Sequence, residues 1–275
     1  GMGIDSSVAG ALMGMCYELY ERELLSPQDT GGLELNWGNF DSAVTLIDQM
    51  CSGEGFGGRV LAKGLKEAAA LLGPPAEACV LHIRGGGINL HDWRPAWSVL
   101  LGQIVAGAGV CWQGPGVDAW TTEPDLGYTE IAEPFIREGK AEAVAKTQAK
   151  KLWEDSLGVC WFACWGVKDV LPNSAKAIAL ATGWDDFDGD EALAVGERLI
   201  NMQRIIALKR GFTAADEFDV SDRLLEAPTE GRAAGKTIKP HLKGMVQDYY
   251  GHMGWEETGR PSTETLEKFG LAGEL

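Results

Sequence analysis

Apolar positions along the chain recur at helical spacing far more often than they alternate. Val8, Leu12, Met15 and Leu19 fall at i, i+4, i+7 and i+11. They predict an opening helix with one buried stripe, closing near Leu25 ahead of Ser26-Pro27. A loop through Gly31-Gly32 to Trp37-Gly38-Asn39 leads to a second helix over residues 41–51. A third is predicted over residues 57–72, stopped by Gly73 and the breakers Pro74-Pro75. Residues 80–84 read as a short extended piece, Gly85-Gly86-Gly87 as a segment that holds no regular helix, and 89–95 as ordered loop.

Helical pattern returns over residues 96–105, breaks in the glycine-rich stretch 107–116, and resumes over 128–151 with an interruption near Pro134. A short helix over 173–181 is expected to start on Asn173 as N-cap and end before Gly183. The longest amphipathic run is 191–210. Its predicted buried face is Ala192, Val195, Leu199, Met202 and Ile206, with Glu197, Asn201 and Arg204 on another face. Thr213 and Asp216 have the spacing of a capping box. No run of alternating strand residues and no fixed-period repeat is present. The expected fold is mainly α: two helical subdomains packed together, over residues 1–95 and 96–275, with few or no strands.

A net charge of −16 repels a phosphate backbone, which excludes nucleic acid as a partner. No stretch of about 18 uninterrupted apolar residues marks a membrane span. The opening Gly3-Ile4-Asp5 carries no basic segment of a secretory signal, so a cytoplasmic protein is expected. The six cysteines are Cys16, Cys51, Cys79, Cys111, Cys160 and Cys164, and five stand in surroundings typical of buried thiols. Cys160 and Cys164 form the one close pair. With no CxxC pair beside them, the chain encodes no self-contained zinc or cluster site.

The most informative segment is Asp155-Ser156-Leu157-Gly158-Val159-Cys160. Its carboxylate can accept hydrogen bonds, its glycine permits close backbone approach, and its thiolate can bind iron. Taken alone, the spacing more often describes an ordinary loop with a buried cysteine. His82 and His91 are expected to be hydrogen-bonded structural residues, the tryptophans to be packing groups, and the acidic cluster at 185–190 to be an inter-helix connection.

The segment resembles the D-x-x-G-L-C motif of tungsten-containing aldehyde:ferredoxin oxidoreductases, with Val159 in place of Leu. Gly3-Ile4-Asp5 resembles the end of that family's other pterin motif, D-x-x-G-L-D. The resemblance continues through Trp37-Gly38-Asn39, Leu61-Ala62-Lys63-Gly64 and His82-Ile83-Arg84-Gly85. It resumes in Gly196-Glu197-Arg198-Leu199-Ile200-Asn201-Met202-Gln203-Arg204 and closes with Tyr249-Tyr250, Gly254-Trp255 and Gly259-Arg260-Pro261.

The resemblance implies that Asp5, Asp155, Gly158 and Val159 face a bis-pterin cofactor of tungsten or molybdenum. It implies that Cys160 both faces that cofactor and is one of four ligands to a [4Fe–4S] cluster. The other three ligands, in C-x-x-C-x-x-x-C, belong to the family's N-terminal half, so a separate N-terminal domain or subunit is expected as partner. No cofactor is expected in this chain alone, and homo-oligomers are expected from apolar surface left uncovered. In the complete enzyme aldehydes are oxidised to carboxylic acids, with ferredoxin as electron acceptor. At Ala108-Gly109-Val110-Cys111-Trp112 the family shows R-G-A-C-H. Trp112 thus replaces a histidine suited to proton transfer, and an indole does not titrate near neutral pH. That departure leaves open a divergent member acting on another substrate, such as an aromatic thioester, or a non-catalytic or split-subunit scaffold.

Overall fold

A computed structural model describes residues 2–88, 91–107, 117–118 and 122–275. The protein is mainly α, and its named strands among the described residues are the two-residue pieces His82–Ile83 and Gly86–Gly87. The chain divides into two compact units, Gly1–Asp92 with Asp219–Glu226, and Trp93–Phe218 with Ala227–Leu275.

In the first unit, helix α1 (Ser6–Glu21) buries Ala9, Leu12, Met15, Cys16, Tyr17 and Leu19, which includes three members of the predicted stripe. Helix α2 (Phe40–Ser52) follows, N-capped by Asn39, whose side chain accepts from Ser42 N at 3.2 Å. The predicted helix over 57–72 is broken. Residues Gly55–Arg59 form one turn, Leu61–Lys63 another, and α3 runs Leu65–Leu72, because Gly64 takes φ 94° and ψ 170°. That conformation halts a helix and is available to glycine. The expected breakers start a helix instead: Pro74 and Pro75 open α4 (Pro74–Cys79). A helix's first positions have no intrahelical use for an N–H, so proline fits there.

The extended piece is a tight hairpin. Strand β1 (His82–Ile83) pairs antiparallel with β2 (Gly86–Gly87) through a turn in which Arg84 and Gly85 both have positive φ. The returning segment docks on β1, with Ser221 N donating to His82 O at 3.0 Å and Arg84 N to Asp219 O at 2.6 Å. Arg223 ties it further by pairing with Glu18 of α1 at 2.6 Å.

The second unit is organised on α6 (Lys140–Ser156), which is packed by α5 (Trp97–Ile104), α8 (Gly189–Lys209) and α9 (Leu242–His252). Helix begins at Lys140 rather than near Tyr128. Pro134 lacks the N–H a helix needs, and Gly139 at φ 75° caps the start. Helix α7 (Val170–Thr182) starts earlier than expected, with Asp169 rather than Asn173 at its cap, and Gly183 ends it at φ 77°. The approach of α6 and α8 is close enough that a Cβ on Gly196 would overlap the Ala149 carbonyl. A small helix, α10 (Thr263–Lys268), closes the chain.

Candidate functional site

Asp155 lies in the last turn of α6, and the turn that follows is a Schellman motif. Val159 N donates to Glu154 O at 3.2 Å, and Gly158 N donates to Asp155 O at 3.0 Å. Gly158 takes φ 72°, and a Cβ there would meet nothing within 4 Å. Its glycine is therefore required by backbone conformation, with open space above it. Cys160 then caps a short helical turn, Trp161–Cys164.

The geometry puts Asp155, Gly158, Val159 and Cys160 together on one exposed bend. The Asp155 carboxylate is 41% exposed and pairs with Lys151 at 2.7 Å. Cys160 is a free, exposed thiol, whereas Cys164 one turn later is buried. Burial followed by the nearby Glu154 carboxylate raises the Cys164 pKa, so its thiol stays protonated and unreactive. Large apolar groups stand open around the thiol: Val159, Phe162 and Val167 are exposed, while Trp161 stacks on Trp165 with centroids 5.0 Å apart. The bend thus shows a carboxylate, a thiol and apolar side chains together on one exposed stretch.

Asp5 is exposed at the start of α1, where its Oδ1 accepts from Val8 N at 2.7 Å as the helix N-cap. Its neighbours Met2 and Ile4 are exposed as well. Trp112 lies outside the described residues, as does the rest of 108–116. Cys51 is exposed, against the expectation for most of the thiols. His82 is buried, its Nδ1 accepts from Gly85 N at 3.3 Å, and burial lowers its pKa, so it serves the hairpin as a neutral ring.

The other long motif turns inward. Asn201 and Arg204, expected on a separate face of α8, are 0% exposed, while Ile206 is 47% exposed. Arg204 donates to Glu217 at 2.7 Å, to Gly259 O at 2.7 Å and to the Tyr250 hydroxyl at 3.0 Å. Its guanidinium lies 4.7 Å from the ring centres of both Phe212 and Trp255. Asn201 accepts from the Trp255 indole at 2.8 Å. The motif and the closing signature are thus one buried knot. The helical pattern misplaced these residues because, apart from the Asn201 amide donating to Glu197 O at 2.9 Å, the hydrogen bonds that pay for their burial come from beyond their own helix.

A second buried ionic group escaped the sequence altogether. Lys150 pairs with Glu154 at 2.7 Å and with Glu123 at 3.1 Å, and all three side chains are 2% exposed. An i, i+4 Lys–Glu pair looks the same in sequence whether it faces solvent or core.

Among the described residues, no group of three or more His, Cys, Asp or Glu side chains is arranged to hold a metal. Cys160 can give one ligand and Asp155 one hydrogen-bond acceptor. A cubane cluster takes about four ligands, so Cys160 could supply at most one of them.

Comparison with known proteins agrees with the motifs. The sequence model of "Aldehyde ferredoxin oxidoreductase, domains 2 & 3" matches residues 1–271. The tungsten-containing aldehyde ferredoxin oxidoreductase of Pyrococcus furiosus is 29% identical over 275 residues, covering 98% of this chain and 44% of the relative. An aliphatic sulfonate oxidoreductase, WOR-like subunit, of the same organism is 27% identical over 283 residues, covering 98% of this chain and 41% of its own length. Among solved structures, the active site complex BamBC of benzoyl coenzyme A reductase with 1,5-dienoyl-CoA superposes with a TM-score of 0.72 at 19% identity. That match covers 99% of this chain and 45% of the other, and shows a shared fold. The chain therefore spans less than half the length of these relatives. It belongs to the aldehyde ferredoxin oxidoreductase family, as the part that corresponds to domains 2 and 3.

Proposed function

We propose that this chain is the cofactor-facing C-terminal part of a tungsten-pterin, iron–sulfur oxidoreductase, and that it acts only with the family's N-terminal half. The observation that carries this reading is the exposed bend, where Asp155 and Cys160 are displayed by a glycine turn amid uncovered apolar side chains. Asp155 and Asp5 would hydrogen-bond pterin groups, Gly158 and Val159 would line the contact, and Cys160 would give the last cluster ligand. The bound cofactor supplies the redox chemistry, and the chain supplies orientation and exclusion of water. The overall reaction is oxidation of an aldehyde with water to a carboxylic acid, the electrons passing to ferredoxin.

Trp112 favours a second reading of the substrate. With an indole where the family has an imidazole, a proton donor is missing from that position, which fits a divergent member acting on a group other than a simple aldehyde. An aromatic thioester is one such group.

The test is co-expression with a candidate N-terminal half bearing C-x-x-C-x-x-x-C, followed by metal analysis of the purified complex. Tungsten and iron together are expected. A stable, metal-free complex would overturn the reading in favour of a scaffold. Aldehyde-dependent dye reduction by the loaded complex then separates the two substrates.

A further inference from the structure

Lys150 and Glu154 lie one turn apart near the end of α6, and Glu123 reaches them from a loop. That loop is fixed by paired backbone bonds between Glu123 and Tyr128, at 2.8 and 3.0 Å. Two carboxylates therefore share one ammonium in a space that all three side chains leave 2% exposed. Among the described residues no second cation is paired with either carboxylate, and Lys151 bears on Glu154 only electrostatically. Lys151, the adjacent lysine, is engaged with Asp155 at 2.7 Å. Asp125, which also bears on Glu123, is held by Asp169 N at 2.7 Å and Leu171 N at 2.8 Å. Asp155 also bears on Glu154 and adds to the negative charge there, and a further titratable neighbour is the Cys164 thiol, itself kept protonated. Among the described residues, Glu154 Oε2 has no hydrogen-bond partner, and Glu123 Oε2 has none beyond its ion pair.

We infer that Glu123, Lys150 and Glu154 form a buried proton-binding site, in which the two carboxylates hold one proton between them at neutral pH. The proton cancels the surplus charge without disturbing Lys150, whose pKa is raised by both glutamates despite its burial. Burial likewise pushes both glutamate pKa values upward, against the opposing pull of Lys150. The site adjoins the candidate cofactor bend along the chain: the Glu154 carbonyl accepts from Val159 N, and Cys164, one turn beyond Cys160, interacts electrostatically with Glu154, Lys150 and Glu123. A proton held there can follow changes of charge on a group bound at the bend. That consequence rests on the function proposed above, whereas the proton itself does not.

The site can be tested in the full 275-residue chain with no cofactor present. Infrared spectra in H2O and D2O should show, at neutral pH, the carbonyl band of one protonated carboxyl per chain, shifted by deuteration. Either Glu123→Gln or Glu154→Gln leaves one carboxylate facing one ammonium, so the band should vanish in each. Absence of the band from the wild type, or its persistence in either variant, overturns the inference. If one variant does not fold, the other decides. Because the readout requires no metal or pterin, its failure is distinct from failure of the cofactor reading.

Discussion

The two motifs of the second unit both carry the family resemblance in sequence and have opposite fates in the structure. The segment ending in Arg204 is enclosed, with its guanidinium bonded on three sides and flanked by aromatic rings. The segment ending in Cys160 is open, with its carboxylate held by one lysine and its thiol exposed. A recurring motif thus marks either a joint that holds the fold or a surface that meets something else, and burial separates the two. Stability should reside in the first and cofactor retention in the second.

The largest effect is expected at the knot. Arg204→Ala removes the guanidinium that pairs with the buried Glu217 carboxylate and should cost about 3–5 kcal/mol, read as a shift in the denaturant midpoint. Arg204→Lys should recover only part of it, because an ammonium lacks the planar fork that reaches Glu217, Gly259 and Tyr250 together. Next comes Gly196→Ala. Its Cβ meets the Ala149 backbone where α6 and α8 cross, and overpacking of this kind costs about 1–3 kcal/mol, occasionally more. A wild-type midpoint for either Arg204→Ala or Gly196→Ala would break the comparison from the structural side.

Effects on stability should shrink at the bend. Gly158→Ala forces a side chain into a left-handed conformation but meets no neighbour, so about 1–2 kcal/mol is expected from strain alone. Asp155→Asn removes one exposed ion pair and should change stability by less than about 1 kcal/mol in thermal or denaturant melts. A large loss there would mean that the bend is structural after all.

The helical character, the first helix and its buried stripe, and the Asp155–Cys160 bend were legible in the sequence, because periodicity and turn glycines are local signals. What was illegible depends on distant partners. Arg204 and Asn201 look like surface residues until Gly259, Tyr250 and Trp255 come round to meet them. The return of 219–226 to the first unit rests on backbone pairing with His82 and Arg84, which leaves no trace in hydrophobic pattern. Local surprises had local causes. Pro74-Pro75 can begin a helix as readily as follow one, and Gly64 broke a pattern that apolar spacing had carried through it.

Cys160 and Cys164 offer the most direct test of the central claim, since they are one turn apart and differ in exposure. Each should be changed to serine in the complex with an N-terminal half, and iron measured per complex together with the electron paramagnetic signal of the reduced cluster. Cys160→Ser is predicted to lose or strongly alter both while Cys164→Ser retains them. Full iron and an unchanged signal in Cys160→Ser would contradict the account.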